Sequence, residues 1–64
     1  MSNLKEIRKQ KGWSQAKLSE ESGVSLRLIQ AYEQGYRNIN EAQVLTVYQL
    51  AKALECDICS LLNI

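Results

Sequence analysis

The 64 residues hold eight basic and seven acidic side chains, two cysteines, three glycines, and no proline, phenylalanine or histidine. That length accommodates one domain, residues 1–64, burying only about 60% of its unfolded surface. No apolar run approaches the ~18 residues of a membrane span, and the opening MSNLKEIRKQ has no apolar signal-peptide core, so a cytoplasmic protein is expected. Residues 1–37 carry seven basic against four acidic side chains, and residues 38–64 one against three. Such asymmetry suits a domain with one phosphate-facing side.

Taken in chain order, Asn3 caps a first predicted helix running through about Lys11, with Glu6 as its capping-box partner. Leu4 and Ile7 form its apolar stripe and Gly12 ends it. Arg8 falls on the same side as that stripe, an odd place for a free charge. Trp13 is expected to be mostly buried, its indole N–H needing an acceptor or an opening to solvent. Ser14 caps a second helix opening Gln15-Ala16-Lys17, whose apolar or small positions are Ala16, Leu18 and Ser19. Lys17 sits in the first turn, where the macrodipole prefers acids, a placement that makes sense beside a phosphate. Ser22-Gly23-Val24-Ser25 is a stop and restart: Gly23 can take the left-handed conformation, and Ser25 can accept from the next helix's free N–H groups. The third helix, about residues 25–34, puts Ile29, Tyr32 and Glu33 on one face and Leu26, Arg27, Gln30 and Ala31 on another. Two short helices joined through a glycine form the helix-turn-helix pattern, whose second helix can lie in a DNA major groove.

Beyond Gly35, the loop Tyr36-Arg37-Asn38-Ile39-Asn40 leads to a fourth helix, for which Asn38-x-x-Glu41 and Asn40-x-x-Gln43 are both candidate capping boxes. That helix runs to Leu54 with Val44, Val47, Tyr48, Leu50, Ala51 and Leu54 as its apolar side. Asp57 caps a last short helix holding Ile58, Leu61 and Leu62. Ile58, Cys59, Leu62 and Ile64 make an apolar end too large to face one small core.

This order of residues resembles the Xre/Cro-type helix-turn-helix family, the lambda-repressor-like DNA-binding domains. The likeness is carried by Gln15, Leu18, Ser19, Gly23, Val24, Ile29, Tyr32, Glu33 and Gly35. Leu4, Ile7, Arg8, Gly12 and Ser14 flank that core before it, and Leu50 to Leu54 with Leu61-Leu62 after it. The resemblance implies an all-α, five-helix domain with the helix-turn-helix at helices two and three. It also implies double-stranded DNA as partner, a role as transcriptional repressor, and a homodimer formed free or only on DNA. Gln15 and Ser25, at the two helix starts, would hold phosphates, as would Tyr36, Arg37 and Asn38 on the far side. Leu26, Arg27, Gln30 and Ala31 would face base edges. Arg8 and Glu33 would pair as a clamp between helices one and three. The sequence departs from the family in having Trp13 for leucine, Ser22 for an apolar residue and Glu55 for glycine, with a longer loop after Gly35. Ser22 there implies a looser contact between the two helices.

Cys56-Asp57-Ile58-Cys59 is formally a C-x-x-C. Zinc takes about four ligands, and the chain has no histidine and no third cysteine. Thioredoxin-type pairs sit in a βαβ setting that the pattern lacks. The resemblance implies that Cys56, at a position usually filled by valine, is a small core residue and that Cys59, at a normally polar place, is more exposed. With no histidine to organise a nucleophile and no glycine-rich phosphate loop, neither enzymatic activity nor a metal or cofactor is expected. The rival reading keeps the fold and changes the partner: a protein-interaction module such as the antitoxin of a toxin–antitoxin pair.

Overall fold

The computed structural model describes residues 3–62, and over that range the chain is all-α, with five α-helices and no strand. They are α1 (Asn3–Gln10), α2 (Gln15–Ser22), α3 (Leu26–Gln34), α4 (Val44–Leu54) and α5 (Ile58–Leu61), with a 3-10 turn at Ile39–Glu41. Each helix contributes one fully buried apolar side chain to a common centre: Leu4, Leu18, Ile29, Leu50 and Leu61 in turn. Val24, Tyr32, Val47 and Leu54 fill in around them. Burying such a side chain stabilises by about 1.5–3 kcal/mol, so no helix is held by propensity alone.

The helix boundaries follow local chemistry. Ser14 Oγ accepts the Lys17 N–H at 3.0 Å, and Ser25 Oγ accepts the Leu28 N–H at 3.2 Å. Gly23 and Gly35 close α2 and α3 at φ 77° and 86°, their N–H groups bonded to the Ser19 and Ala31 carbonyls. A Cβ would meet nothing at either glycine, so the left-handed backbone, and not crowding, calls for them. Ser25→Ala should lower stability by about 1 kcal/mol, read as a shift in the urea midpoint with the slope unchanged.

Several expectations are corrected. Asn3 lies inside α1, and its Nδ2 donates to the Leu62 carbonyl at 2.8 Å, tying the first helix to the last. Trp13, by contrast, is mostly buried as expected, its ring packed against the core with the Lys11 and Lys17 ammonium groups 5.1 and 5.9 Å from its centroid. Ser22 does not loosen the helix junction. It is buried, and its Oγ accepts the Val24 N–H at 3.2 Å while Ser19 Oγ donates to the Val24 carbonyl at 2.7 Å. Both backbone groups of Val24 are thereby satisfied inside the turn.

The second half of the chain departs further. Neither candidate capping box opens α4: Asn38 Oδ1 accepts the Asn40 N–H at 2.9 Å to cap the 3-10 turn, and Gln43 precedes α4 without a side-chain cap. The turn itself buries Ile39, a loop residue by sequence. Val47, Leu50, Ala51 and Leu54 face the core at i, i+3, i+4 and i+7, a full stripe that leaves Val44 and Tyr48 rotated outward at 78% and 49% exposure. Asp57 stands at the start of α5, but its carboxylate makes no capping bond.

Glu55 is the single non-glycine residue with positive φ among those described, at 56°, and its N–H reaches the Ala51 and Lys52 carbonyls. Its carboxylate takes the Lys11 Nζ at 2.7 Å, and that hydrogen bond and charge hold its pKa below the ordinary value. A left-handed glutamate is strained, whereas an exposed ion pair contributes little. Glu55→Gly should therefore raise the melting temperature, by more at high salt, where the pair is already screened.

Candidate nucleic-acid interface

The interface candidates are organised by a buried polar knot beneath them. Arg8 Nε donates to Glu33 Oε2 at 2.7 Å and Arg8 Nη2 to Glu33 Oε1 at 3.0 Å, a two-pronged pair joining α1 to α3. Arg8 Nη1 also donates to the Trp13 carbonyl at 2.6 Å. The two side chains are only 10% and 2% exposed. Burial pushes the Glu33 carboxyl up, but hydrogen bonds from Arg8 and Gln15, with the charges of Arg8 and Lys5, outweigh it and leave the pKa below its ordinary value. Among the described residues no buried side-chain polar atom lacks a partner.

Gln15 links this knot to the surface. As the first residue of α2 it turns one amide hydrogen inward, Nε2 donating to Glu33 Oε1 at 3.0 Å. The second amide hydrogen has no partner among the described residues, and the first fixes its direction. Beside it, Lys17 is exposed and loosely paired with Glu21 at 3.2 Å. A surface pair of that kind is readily exchanged for another anion.

On α3, Ser25, Leu26 and Arg27 are exposed, while Gln30 and Ala31 are partly so. Arg27 makes no ion pair or side-chain hydrogen bond with any described residue. Leu26 is 38% exposed, whereas Leu28 turns inward against the core. Tyr36, Arg37 and Asn38 are exposed and line a groove of about 660 Å³ with Gln43 and Thr46. Gln43 and Thr46 were not singled out by sequence, because the start of α4 could not be placed between two competing capping boxes. Cys56 is half-buried, with its thiol pKa raised by burial and then by Asp57, and Cys59 is exposed. Among the described residues no three potential metal ligands converge, and no helix is long and apolar enough to cross a membrane.

Comparison with known proteins gives one finding: a helix-turn-helix family model matches residues 4–61. No curated protein and no solved structure gives a match. The matched span runs from the first buried residue of α1 to the last of α5, taking in both capped helices of the motif and the knot beneath them. The chain belongs to the Xre/lambda-repressor-like helix-turn-helix family of DNA-binding domains.

Proposed function

We propose that residues 1–64 form a single domain that binds specific duplex sequences as a homodimer in the cytoplasm and represses transcription by occupying its operator. The observation that carries this reading is Arg27, exposed in the first turn of α3 with no partner among the described residues. The N-terminal part of a recognition helix is what reaches base edges in this family's docking geometry. There Arg27 bonds guanine O6 and N7, Gln30 bonds adenine N6 and N7, and Leu26 and Ala31 pack on thymine methyls. Ser25, Lys17 and the outward amide hydrogen of Gln15 take phosphates on one side, and Tyr36, Arg37 and Asn38 on the other. Two copies would read half-sites about one helical turn, ~34 Å, apart.

A salt titration of duplex affinity tests this. Two cationic phosphate contacts per copy, Lys17 and Arg37, give a slope of log K against log salt of about −2 per copy. Lys17→Ala should reduce that slope by about one and weaken all sequences alike. Affinity for duplex that does not respond to salt would contradict the reading and turn attention to an apolar protein partner, as in the antitoxin alternative.

A further inference from the structure

A groove of about 650 Å³ opens between α2 and α4, and no residue of α3 lines it. One stripe of α4 borders it, Leu45, Tyr48, Gln49 and Lys52 at i, i+3, i+4 and i+7. From the α1–α2 side it is lined by Trp13, the chain's single tryptophan. Trp13, Ser22 and Glu55, the three single-residue departures from the family pattern, all lie along it. Folding stability does not account for this surface. Glycine at 55 should be steadier than a glutamate at φ 56°, yet the Glu55 carboxylate stands there and holds the Lys11 Nζ at 2.7 Å beside the Trp13 ring. Backbone strain of that kind clusters at sites that clamp ligands. Tyr48, Gln49 and Lys52, meanwhile, have no side-chain partner among the described residues.

We infer that this groove binds a small aromatic carboxylate, its ring against Tyr48 and Trp13 and its carboxylate on the Lys52 ammonium. The volume falls within the roughly 300–1,000 Å³ of small-molecule sites, where apolar and aromatic walls carry a few polar groups. Charge selects the anion. Lys11 is paired with Glu55 and Glu21 with Lys17, so Lys52 is the one lining charge without a counter-ion among the described residues. A single free cation matches a single carboxylate. The Tyr48 hydroxyl and the Gln49 amide add two donors on the same stripe for its second oxygen. No lining residue is among those assigned to DNA, so the site stands independently of that reading. The apolar end expected at Ile58, Cys59, Leu62 and Ile64 is narrower in the structure. Ile58 and Leu62 pack largely onto the core, leaving Cys59 as its exposed member, and Ile64 lies outside the described residues.

The test is a nitrogen–proton correlation NMR titration of the full chain with 2-naphthoate, and with 2-naphthamide as its uncharged counterpart. It compares the parent with Lys52→Gln, Tyr48→Ala and, as a control at an exposed position of α1, Lys9→Gln. Helical circular dichroism is measured alongside. Naphthoate should bind one per chain with a dissociation constant of about 1 mM or below, the scale open to so few atoms. The Trp13 indole N–H and the Gln49 side-chain amide should shift most. Naphthamide should bind about threefold more weakly, the scale of one exposed charge pair. Lys52→Gln should erase that difference by weakening naphthoate alone, Tyr48→Ala should weaken both ligands, and Lys9→Gln neither. Should Tyr48→Ala unfold the chain, the Lys52→Gln comparison decides alone. Shifts that do not saturate, shifts spread away from the groove, or a Lys52→Gln variant that still prefers naphthoate would overturn the site. Groove shifts that follow protein concentration and not naphthoate would assign the groove to a second copy of the chain and overturn it equally.

Discussion

Glu33→Ala is expected to cost about 3–5 kcal/mol, the penalty for leaving one member of a buried ion pair without its partner. At about 0.05–0.15 kcal/mol per residue the whole domain holds only about 3–10 kcal/mol. The variant should therefore be largely unfolded or melt far below the parent. Arg8→Ala should be the milder change. A stranded Glu33 carboxylate can take up a proton, and it keeps Gln15 as a donor. A stranded Arg8 would keep only the neutral Trp13 carbonyl as an acceptor for its buried charge. The pair also sets the acid limit. Because the native pKa of Glu33 is depressed, its contribution is complete above the unfolded value of about 4.3 and is lost as pH falls through the lower native value. Thermal melts between pH 7 and pH 3 should fall away in that acid window, and less steeply in Arg8→Ala. Single variants whose melts overlay the parent would show that the knot holds nothing together.

Arg27→Ala should do the reverse, sparing the fold and damaging the function. An arginine in the first turn of α3 opposes the helix dipole, and it touches no described residue through its charge. Its removal should leave the melt unchanged or slightly raised. Affinity for the best duplex should drop by about 1–3 kcal/mol, with preference relaxed at one base position per half-site. Equal loss on every duplex would make Arg27 a phosphate contact and leave base reading to Gln30 and Leu26. No loss at all would mean that α3 is not the reading element.

What was legible in the sequence is what short-range chemistry decides. Ser14 and Ser25 signal their helices through a hydroxyl three residues from the N–H it accepts, and Gly23 and Gly35 through a backbone conformation open to few other residues. Together they frame the two helices of the motif. Contacts between residues far apart in the chain carry no such signal: Asn3 reaches Leu62, and Gln15 reaches Glu33, only once the helices have packed. The apolar side expected for α4 is right at Val47, Leu50, Ala51 and Leu54 but too wide, for a related reason. Val44 and Tyr48 suit a 3.6-residue apolar period as well as Val47 and Leu50 do, and only the packed neighbours choose between the two sides. Ile39 was hidden in the same way, since a 3-10 turn is too short to show a period.

The most direct measurement is selection of duplexes from a random pool by the purified chain, repeated with Arg27→Ala. The parent should enrich a two-fold site with half-sites about 34 Å apart, and the variant should lose the preference for guanine at one position in each half. A parent that enriches no sequence, or a variant that enriches the same site unchanged, would contradict the assignment of α3 as the helix that reads DNA.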